Sequence, residues 1–394
     1  MYNFFLKKTN GYDVSFLLLP MSCYLLSFFL QIDSRLNNNI FYIFVLVPFL
    51  LFIEKKQLVK DLATSTIFKL SIIFALYLVV RSAFYFNTDL VSYVKPARHF
   101  ISWAAFMSIS IGLFLKSKLF ERITVLAVWA AIWGLSNLFY FYSTHDMSTR
   151  LVYNGPVSHE ILGASVYAFL CVLAALTAMR PRQESFGMFI VSILLFFCVL
   201  MSQSRGVILA VILSIVAAIP FARIRMALPI IVGSGLFLGL FFSLFSENLD
   251  RITQLTTSYR IDIWLQVLKN SLSDGYWLFG NSLTASHEIV VENLTFHHMH
   301  SGYVGTYFYG GVIGGTILLM LILTLGYKVY TIGKSAKDPV NVGLYVFLVL
   351  IISTDNHRLL DGPSEIWFYF WLPVAFLAAK ELHNKQDSPV DVST

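Results

Sequence analysis

Residues 160–179, EILGASVYAFLCVLAALTAM, form an apolar run of the length that a helix needs to cross a bilayer, about 20 residues. Because lipid offers the backbone no hydrogen-bond partner, such a run must be helical. The rest of the chain repeats the pattern: 57% of its 394 residues are hydrophobic and 13% are charged, against about 25% charged in a soluble domain. The short alternating segments of a β-barrel are not seen. The sequence therefore predicts an all-α polytopic membrane protein.

About twelve apolar runs are predicted to cross the membrane. Most Lys and Arg residues fall in short connectors on one face, which the positive-inside rule makes cytoplasmic together with both termini. We expect nine spans over 1–245, one large periplasmic loop over 246–302, and three spans with a cytoplasmic tail over 303–394. The predicted spans are 14–31, 39–53, 66–84, 100–115, 123–142, 160–179, 186–201, 206–222, 226–245, 303–326, 341–354 and 366–380.

The loop is the longest connector and the only one able to hold short helices of its own. Apolar residues in it recur at helical spacing, and Thr257 and Ser258 are placed to cap the helix they predict. Arg260 would begin this helix, which would lie on the membrane surface or pack on the bundle. The apolar residues are Ile261, Trp264, Leu265, Leu268 and Leu272.

Arginine dominates the basic residues of the non-cytoplasmic face, although topology gives no reason to place it there. A guanidinium fork matches phosphate or carboxylate oxygens, so these arginines are candidate anion ligands. Interfacial anchoring, or ion pairs with Asp89, Asp146 or Asp355, would be the structural alternative. The candidates are Arg98, Arg150, Arg205, Arg260 and Arg358.

Three polar stretches concentrate the candidate chemistry. Residues 202–206, SQSRG, place Arg205 where a helix begins, and helix N-termini bind anions. Tyr259 and Arg260 open the loop helix. His298 and His300 lie where the loop re-enters the membrane, and histidine is the usual general base near neutral pH.

A zinc site at these histidines is the weaker interpretation, because no cysteine or helical histidine pair accompanies them. Cys23, Cys171 and Cys198 lie inside apolar runs without ligand spacing, so we expect neither a metal site nor a disulfide from them.

Four glycines follow in the helix that begins at Gly302. Small residues four positions apart allow close helix packing, so we expect a structural role for most of them. They are Gly310, Gly311, Gly314 and Gly315.

In this order, the stretches resemble the O-antigen ligase (WaaL) family, within the wider Wzy-type O-antigen ligase and polymerase superfamily. The resemblance covers most of the chain from Arg150 onward, whereas residues 1–145 match only as apolar spans. The family often has His-Asn where this chain has His300-Ser301, which leaves the role of the second side chain open. The resemblance is carried by Arg150-Leu151 with Gly155 and Pro156, Gln203-Ser204-Arg205, Tyr259-Arg260 with Trp264, Leu278-Phe279-Gly280, His298-Met299-His300-Ser301 with Gly310 and Gly314, Thr354-Asp355 with Arg358, and Trp367 to Pro373.

The resemblance implies a glycosyltransferase of the Gram-negative inner membrane that acts at the periplasmic face. It would transfer O-antigen polysaccharide from undecaprenyl diphosphate to lipid A-core oligosaccharide, without metal, nucleotide or other cofactor and without nucleic acid. Under that interpretation His300 is the base, and Arg205 and Arg260 stabilise the departing diphosphate. His298, Arg150, Arg98, Arg358 and Tyr259 would bind substrate.

Three alternatives stay open. An O-antigen polymerase would use the same donor and the same arginines, but a lipid-linked sugar as acceptor. A protein O-oligosaccharyltransferase usually has a longer chain. A transporter or flippase would show internal repeats and charged residues at mid-membrane; here no repeat is seen, and the polar residues cluster at one interface.

Overall fold

The computed structural model describes residues 14–52, 55–84, 90–116, 119–147, 149–180, 186–222, 235, 239, 259–285, 288–291, 294–336, 338–354 and 358–387. Most of these residues are helical, which confirms the all-α prediction. The predicted span 226–245 falls almost wholly outside the described residues, as do Thr257, Ser258 and Asp355.

The helices follow the apolar runs closely. In chain order they are α1 (Leu18–Ser27), α2 (Ser34–Ile40), α3 (Val47–Phe52), α4 (Lys55–Leu62), α5 (Thr66–Ala83), α6 (Leu90–Lys116), α7 (Leu119–Tyr142), α8 (Glu160–Ala178), α9 (Phe186–Met201), α10 (Arg205–Ala218), α11 (Arg260–Ser273), α12 (Gly302–Ala336), α13 (Pro339–Ile351) and α14 (Leu372–Asp387).

Shorter elements connect or extend these helices. A π-helical segment joins α2 to α3, and a second one leads into α14. Two three-residue strands form an antiparallel hairpin in the loop, with Val290 opposite Thr295. The π-helical segments are Phe41–Leu46 and Trp367–Trp371, the 3₁₀ turns are Ser15–Leu17, Gly155–Val157 and Ile219–Phe221, and the strands are β1 (Ile289–Val291) and β2 (Leu294–Phe296).

Six helices of the described part of the chain are long and apolar enough to cross a membrane, which supports a polytopic membrane protein. Four further apolar helices are shorter, and the count of twelve spans stays a prediction. The long ones are Ser34–Phe52, Thr66–Ala83, Val94–Lys116, Leu119–Tyr142, Glu160–Ala178 and Gly302–Thr331, and the shorter ones are Ser15–Ser27, Phe186–Met201, Arg205–Phe221 and Pro339–Ile351.

Helix α8 forms the centre of the bundle. Its middle is buried on all sides because it packs against α7, α9, α10 and α13. Around this centre α12 packs on α5, and α14 packs on α6. Helices α9 and α13 end, and helices α10 and α12 begin, at the same end of the bundle. We call this the site end.

Loop helix α11 forms as predicted, but it turns its apolar side outward. Ile263, Val267 and Ser271 are buried, whereas Ile261 is 65% exposed and Leu272 is 67% exposed. Leu265 and Leu268 on the same side are exposed as well. Of the predicted apolar face, only Trp264 is partly buried. The helix therefore packs on the bundle through its opposite face and presents an apolar stripe to its surroundings.

Helix α12 is interrupted at Gly311, whose φ of 60° and ψ of −160° are not helical. The loop carbonyls of Trp277 and Leu278 accept hydrogen bonds from Val312 N at 2.9 Å and Ile313 N at 3.2 Å, the two amides that follow the break. A Cβ on Gly311 would lie 2.3 Å from the Leu278 carbonyl oxygen, so only glycine fits. Gly311, one of the four glycines, thus lets the loop backbone at Leu278 contact α12 directly.

Two of the other glycines, Gly310 and Gly314, face Tyr77 of α5, as close helix packing predicted. A Cβ placed on either would lie 3.3 to 3.4 Å from the Tyr77 ring. Open space surrounds Gly315.

Candidate active site

Arg205 is the first residue of α10, as the sequence predicted. The turn before it is buried, and Gln203 has a φ of 52°, a left-handed conformation that is uncommon outside glycine. Gly206 lies against Thr354, because a Cβ on Gly206 would meet the Thr354 side chain at 2.8 Å. The start of α10 is therefore fixed against the chain that follows α13.

The end of α13 also holds the start of α12. Gly302 N donates to the Ile352 carbonyl at 2.6 Å, and the Tyr303 hydroxyl donates to the Val349 carbonyl at 2.8 Å. Since Ile352 and Thr354 are two residues apart, Arg205 and the histidine segment share one support at the site end.

The histidine segment, His298 to Ser301, is held in a defined conformation. His300 has a φ of 51° and is, with Gln203, one of the two non-glycine residues of the described chain in the left-handed region. Met299 between the histidines is fully buried. The rings of His298 and His300 lie 6.2 Å apart between centroids, in a segment that is not extended at His300 as the prediction of a shared face assumed.

Helix α11 is attached to this segment by Trp264. The indole Nε1 of Trp264 donates to the Met299 carbonyl at 2.9 Å. Arg260 lies one turn earlier on the same face of α11, at its first position. Tyr259 precedes it, and its ring lies 5.6 Å from that of Phe296 in β2. The first turn of α11, with Tyr259 just before it, is thus attached to the histidine segment and the strand that precedes it.

Arg205 and Arg260 share one unusual electrostatic setting. Each occupies the first position of a helix, where the macrodipole makes a positive charge unfavourable and an anion favourable. Within the described residues, neither Ser204 nor Tyr259 caps its helix with a side-chain hydrogen bond. A phosphate bound there would meet both guanidinium and main-chain N–H donors.

Arg150 lies beside this site and already has a carboxylate partner. Its guanidinium forms a 3.2 Å salt bridge with Glu160, and both side chains are more than a third exposed. The following residue, Leu151, donates its N–H to the Met201 carbonyl at 3.0 Å, two residues before Gln203. Exposed pairs of this kind contribute little to stability, so Glu160 does not prevent Arg150 from binding an anion.

Arg98 and Arg358 belong to a second cluster at the site end. Arg98 lines a cavity of about 230 Å³ with His99, Asp361 and Glu365. His99 Nδ1 lies 3.2 Å from Asp361 Oδ1, and both arginines act on His99 electrostatically. Both arginines therefore lie in the neighbourhood of His99.

Arg358 connects the two clusters. Its Nε donates to the Tyr309 hydroxyl of α12 at 3.0 Å. The side chain of the next residue, Leu359, packs against Gly302, where an added Cβ would lie 3.2 Å from it. Arg358 therefore lies between the histidine segment and the cavity lined by Arg98.

Sequence analysis missed three residues of this second cluster: His99, Asp361 and Glu365. Burial and, less strongly, Asp361 raise the pKa of the Glu365 carboxyl, just before the predicted span 366–380, to about 7. Near neutral pH it can therefore accept or donate a hydrogen bond. The only signal in the sequence was a polar run on each side, KPARH at 95–99 and DGPSE at 361–365.

Among the residues that the structure describes, no group of three or more His, Cys, Asp or Glu side chains is placed to hold a metal ion.

No protein-family model matches the chain. A curated protein of Pseudomonas aeruginosa named O-antigen ligase is 25% identical over 357 residues, which cover 88% of this chain and 86% of that protein. The resemblance to the O-antigen ligase family is confirmed. Because the match covers 88% of this chain, it includes at least part of residues 1–145, where the motifs of the sequence offered nothing specific.

Proposed function

We propose that this protein is an O-antigen ligase, a membrane glycosyltransferase that moves O-antigen polysaccharide from undecaprenyl diphosphate to lipid A-core oligosaccharide. The observation that carries the proposal is the joint support of Arg205, Arg260 and the histidine segment at one end of the bundle. The similarity to a protein of that name, over 88% of this chain, supports it independently.

The arginines would hold the diphosphate of the donor. Charge builds up on the departing diphosphate as the bond to the sugar breaks, and fixed donors aimed at that charge lower the barrier. Arg205 and Arg260 lie at helix starts, so main-chain amides add to their guanidinium forks. Arg150 and Arg358, at the edges of the site, would bind the phosphate oxygens or sugars farther out.

His300 would act as the general base. The acceptor hydroxyl oxygen attacks the anomeric carbon while its proton passes to His300, and the carbon–oxygen bond to the diphosphate breaks with both electrons leaving on undecaprenyl diphosphate. Attack from the side opposite the leaving group inverts the anomeric configuration. His298 and Tyr259, next to the same site, would position the acceptor.

The proposal places the site end at the periplasmic face of the inner membrane, with both termini in the cytoplasm. The distribution of Lys and Arg among the connectors supports this orientation. Both substrates would carry lipid tails, which suits a site where the helices end at the membrane surface.

Lipopolysaccharide gels of a deletion strain test the function. We expect the wild-type gene to restore polymer-bearing lipopolysaccharide, and His300→Ala or Arg205→Ala to leave bare lipid A-core while lipid-linked polymer accumulates. Loss of one hydrogen-bond donor that stabilises transition-state charge costs about 10²- to 10³-fold in rate. His383→Ala, an exposed histidine near the end of α14, is the matched control and should restore the ladder.

Other gel outcomes would decide against the proposal. Core bearing a single repeat unit in the deletion strain would identify a polymerase with the same donor site. Full ligation by His300→Ala would remove this histidine from the mechanism. Absence of lipid-linked polymer from the periplasmic face would favour a transporter.

A further inference from the structure

A second cavity lies at the far end of α11, away from the histidines. It encloses about 360 Å³ between the end of α11, the loop that follows it, the last turn of α5 and the first half of α12. Its volume falls at the lower end of the range of small-molecule sites. The residues that line it are Arg81, Val267, Asn270, Asp274, Gly275, Tyr276, Asn281, Ala285, Glu288, Ile289 and Phe308.

The walls of this cavity are fixed by hydrogen bonds. Asn281 N donates to the Phe308 carbonyl at 2.8 Å, and Leu283 N donates to the Ser82 hydroxyl at 2.9 Å. Arg81 Nε donates to the Gly280 carbonyl at 2.9 Å. The loop is thereby attached to both α5 and α12, so the protein's own hydrogen bonds hold the walls of the cavity in place.

The lining groups match a polyhydroxylated ligand. Two carboxylates, Asp274 and Glu288, accept hydrogen bonds, and the carboxamides of Asn270 and Asn281 both donate and accept. A sugar hydroxyl needs partners of both kinds. Phe308 offers an apolar surface to the C–H face of a sugar ring.

The charge of the cavity excludes the diphosphate as its ligand. Two carboxylates face it, against the single guanidinium of Arg81, which already donates to a main-chain carbonyl. An anion would be repelled, whereas a neutral saccharide would not.

The position of the cavity on α11 fixes which sugars could reach it. Asn270 and Asp274 lie 10 and 14 residues after Arg260, and a rise of 1.5 Å per residue places them about 15 to 21 Å farther along the helix. This is too far for the sugar at the reacting carbon. It is within reach of sugars several units away in the same chain.

We propose that this cavity is a saccharide-binding subsite for sugar units remote from the transferred bond. The assignment rests on the proposed function, from which it takes the substrate class. The saccharide belongs either to the polymer of the donor or to the core oligosaccharide of the acceptor, and the two share the chemistry that the cavity recognises. Binding energy gained there would hold a long substrate while the bond is transferred.

Asp274→Asn is the informative variant because it removes a charge from the cavity without opposing the helix dipole. Asp274 is the C-terminal cap of α11, where the helix dipole disfavours a carboxylate, so removing its charge should leave α11 as stable or slightly more so. Lys269→Gln, an exposed change on the same helix outside the cavity, is the control.

Two measurements on the purified full-length protein test the subsite. Saturation-transfer NMR with O-antigen oligosaccharide freed of its lipid diphosphate should show binding to wild type and Lys269→Gln, and loss of binding to Asp274→Asn. In ligation assays, Asp274→Asn should raise KM about tenfold for donors of many repeats and leave it unchanged for a single-repeat donor. A rise in KM for the acceptor instead would assign the cavity to the core oligosaccharide.

The results also separate this inference from the proposed function. If wild type ligates, and Asp274→Asn binds the oligosaccharide and ligates equally well, the subsite is overturned and the ligase proposal stands. Wild type that ligates no donor would overturn the ligase, and the NMR comparison would still decide the cavity. Equal loss in Lys269→Gln would also overturn the subsite.

Discussion

Trp264→Phe should slow ligation without unfolding the protein. The indole Nε1 of Trp264 donates to the Met299 carbonyl at 2.9 Å, and this bond attaches α11 to the segment between His298 and His300. Phenylalanine keeps most of the ring but removes the donor. A lost hydrogen bond of this kind costs about 0.5 to 1.5 kcal/mol, more if the carbonyl is left without another partner. This corresponds to roughly a 2- to 13-fold effect on the population of the held conformation.

The assay is steady-state ligation with separate kcat and KM values for donor and acceptor. If Trp264 positions His300, kcat should fall about tenfold while the donor KM changes little, because Arg260 keeps its place at the start of α11. Trp277→Phe is the control: the same substitution in the same loop, at a side chain that is 44% exposed. An unchanged kcat in Trp264→Phe, or an equal fall in Trp277→Phe, would refute the reasoning.

Two further predictions concern stability. Gly311→Ala should lower the unfolding temperature and the yield of folded protein, because its Cβ would lie 2.3 Å from the Leu278 carbonyl oxygen and its φ is 60°. Gly315→Ala is the control and should leave the unfolding temperature unchanged, because open space surrounds Gly315. Equal unfolding temperatures of the two variants would contradict this prediction. Glu381, 2% exposed, accepts from Ser65 Oγ at 2.7 Å and pairs with Lys328, so Glu381→Gln should cost about 3 kcal/mol at pH 7. Burial alone would raise the pKa of Glu381, but these partners lower it to about 2. The difference in unfolding temperature between wild type and Glu381→Gln should therefore be full above pH 4.5 and shrink as the pH falls towards 2. A constant difference across that pH range would contradict the prediction.

The helices were predictable because the apolar runs in this chain are long and the polar residues fall between them. The start of α10 at Arg205 and of α11 at Arg260 followed from the same pattern. The outward side of α11 could not be predicted. Lipid is as apolar as a protein core, so periodicity cannot tell a side that faces the bundle from one that faces the membrane surface. Ile261 and Leu272 lie on the exposed side, and the small side chain of Ser271 is buried instead.

The second cluster at the site end was beyond sequence reasoning for a different reason. His99 and Asp361 form their 3.2 Å contact across more than 250 positions of sequence, and neither lies in a motif. Only the packing of α6 beside α14 and the segment that leads into it brings them together. The indole Nε1 groups of Trp367 and Trp371 hold that chain by donating to the Asp361 and Leu359 carbonyls, at 3.3 and 2.6 Å.

Two residues at the candidate site, Gln203 and His300, have a strained backbone conformation. The left-handed φ angles of Gln203 and His300 each cost on the order of 1 to 3 kcal/mol, and such conformations persist only where the surroundings determine them. Three contacts determine them here. The Trp264 indole donates to the Met299 carbonyl, just before His300. The chain at the end of α13 contacts Gly302, two residues after His300, and Gly206, three residues after Gln203. Neither residue type demands this conformation, so the fold imposes it. This strain fixes the direction of the His300 side chain, which the base proposed above would need in order to meet the acceptor hydroxyl.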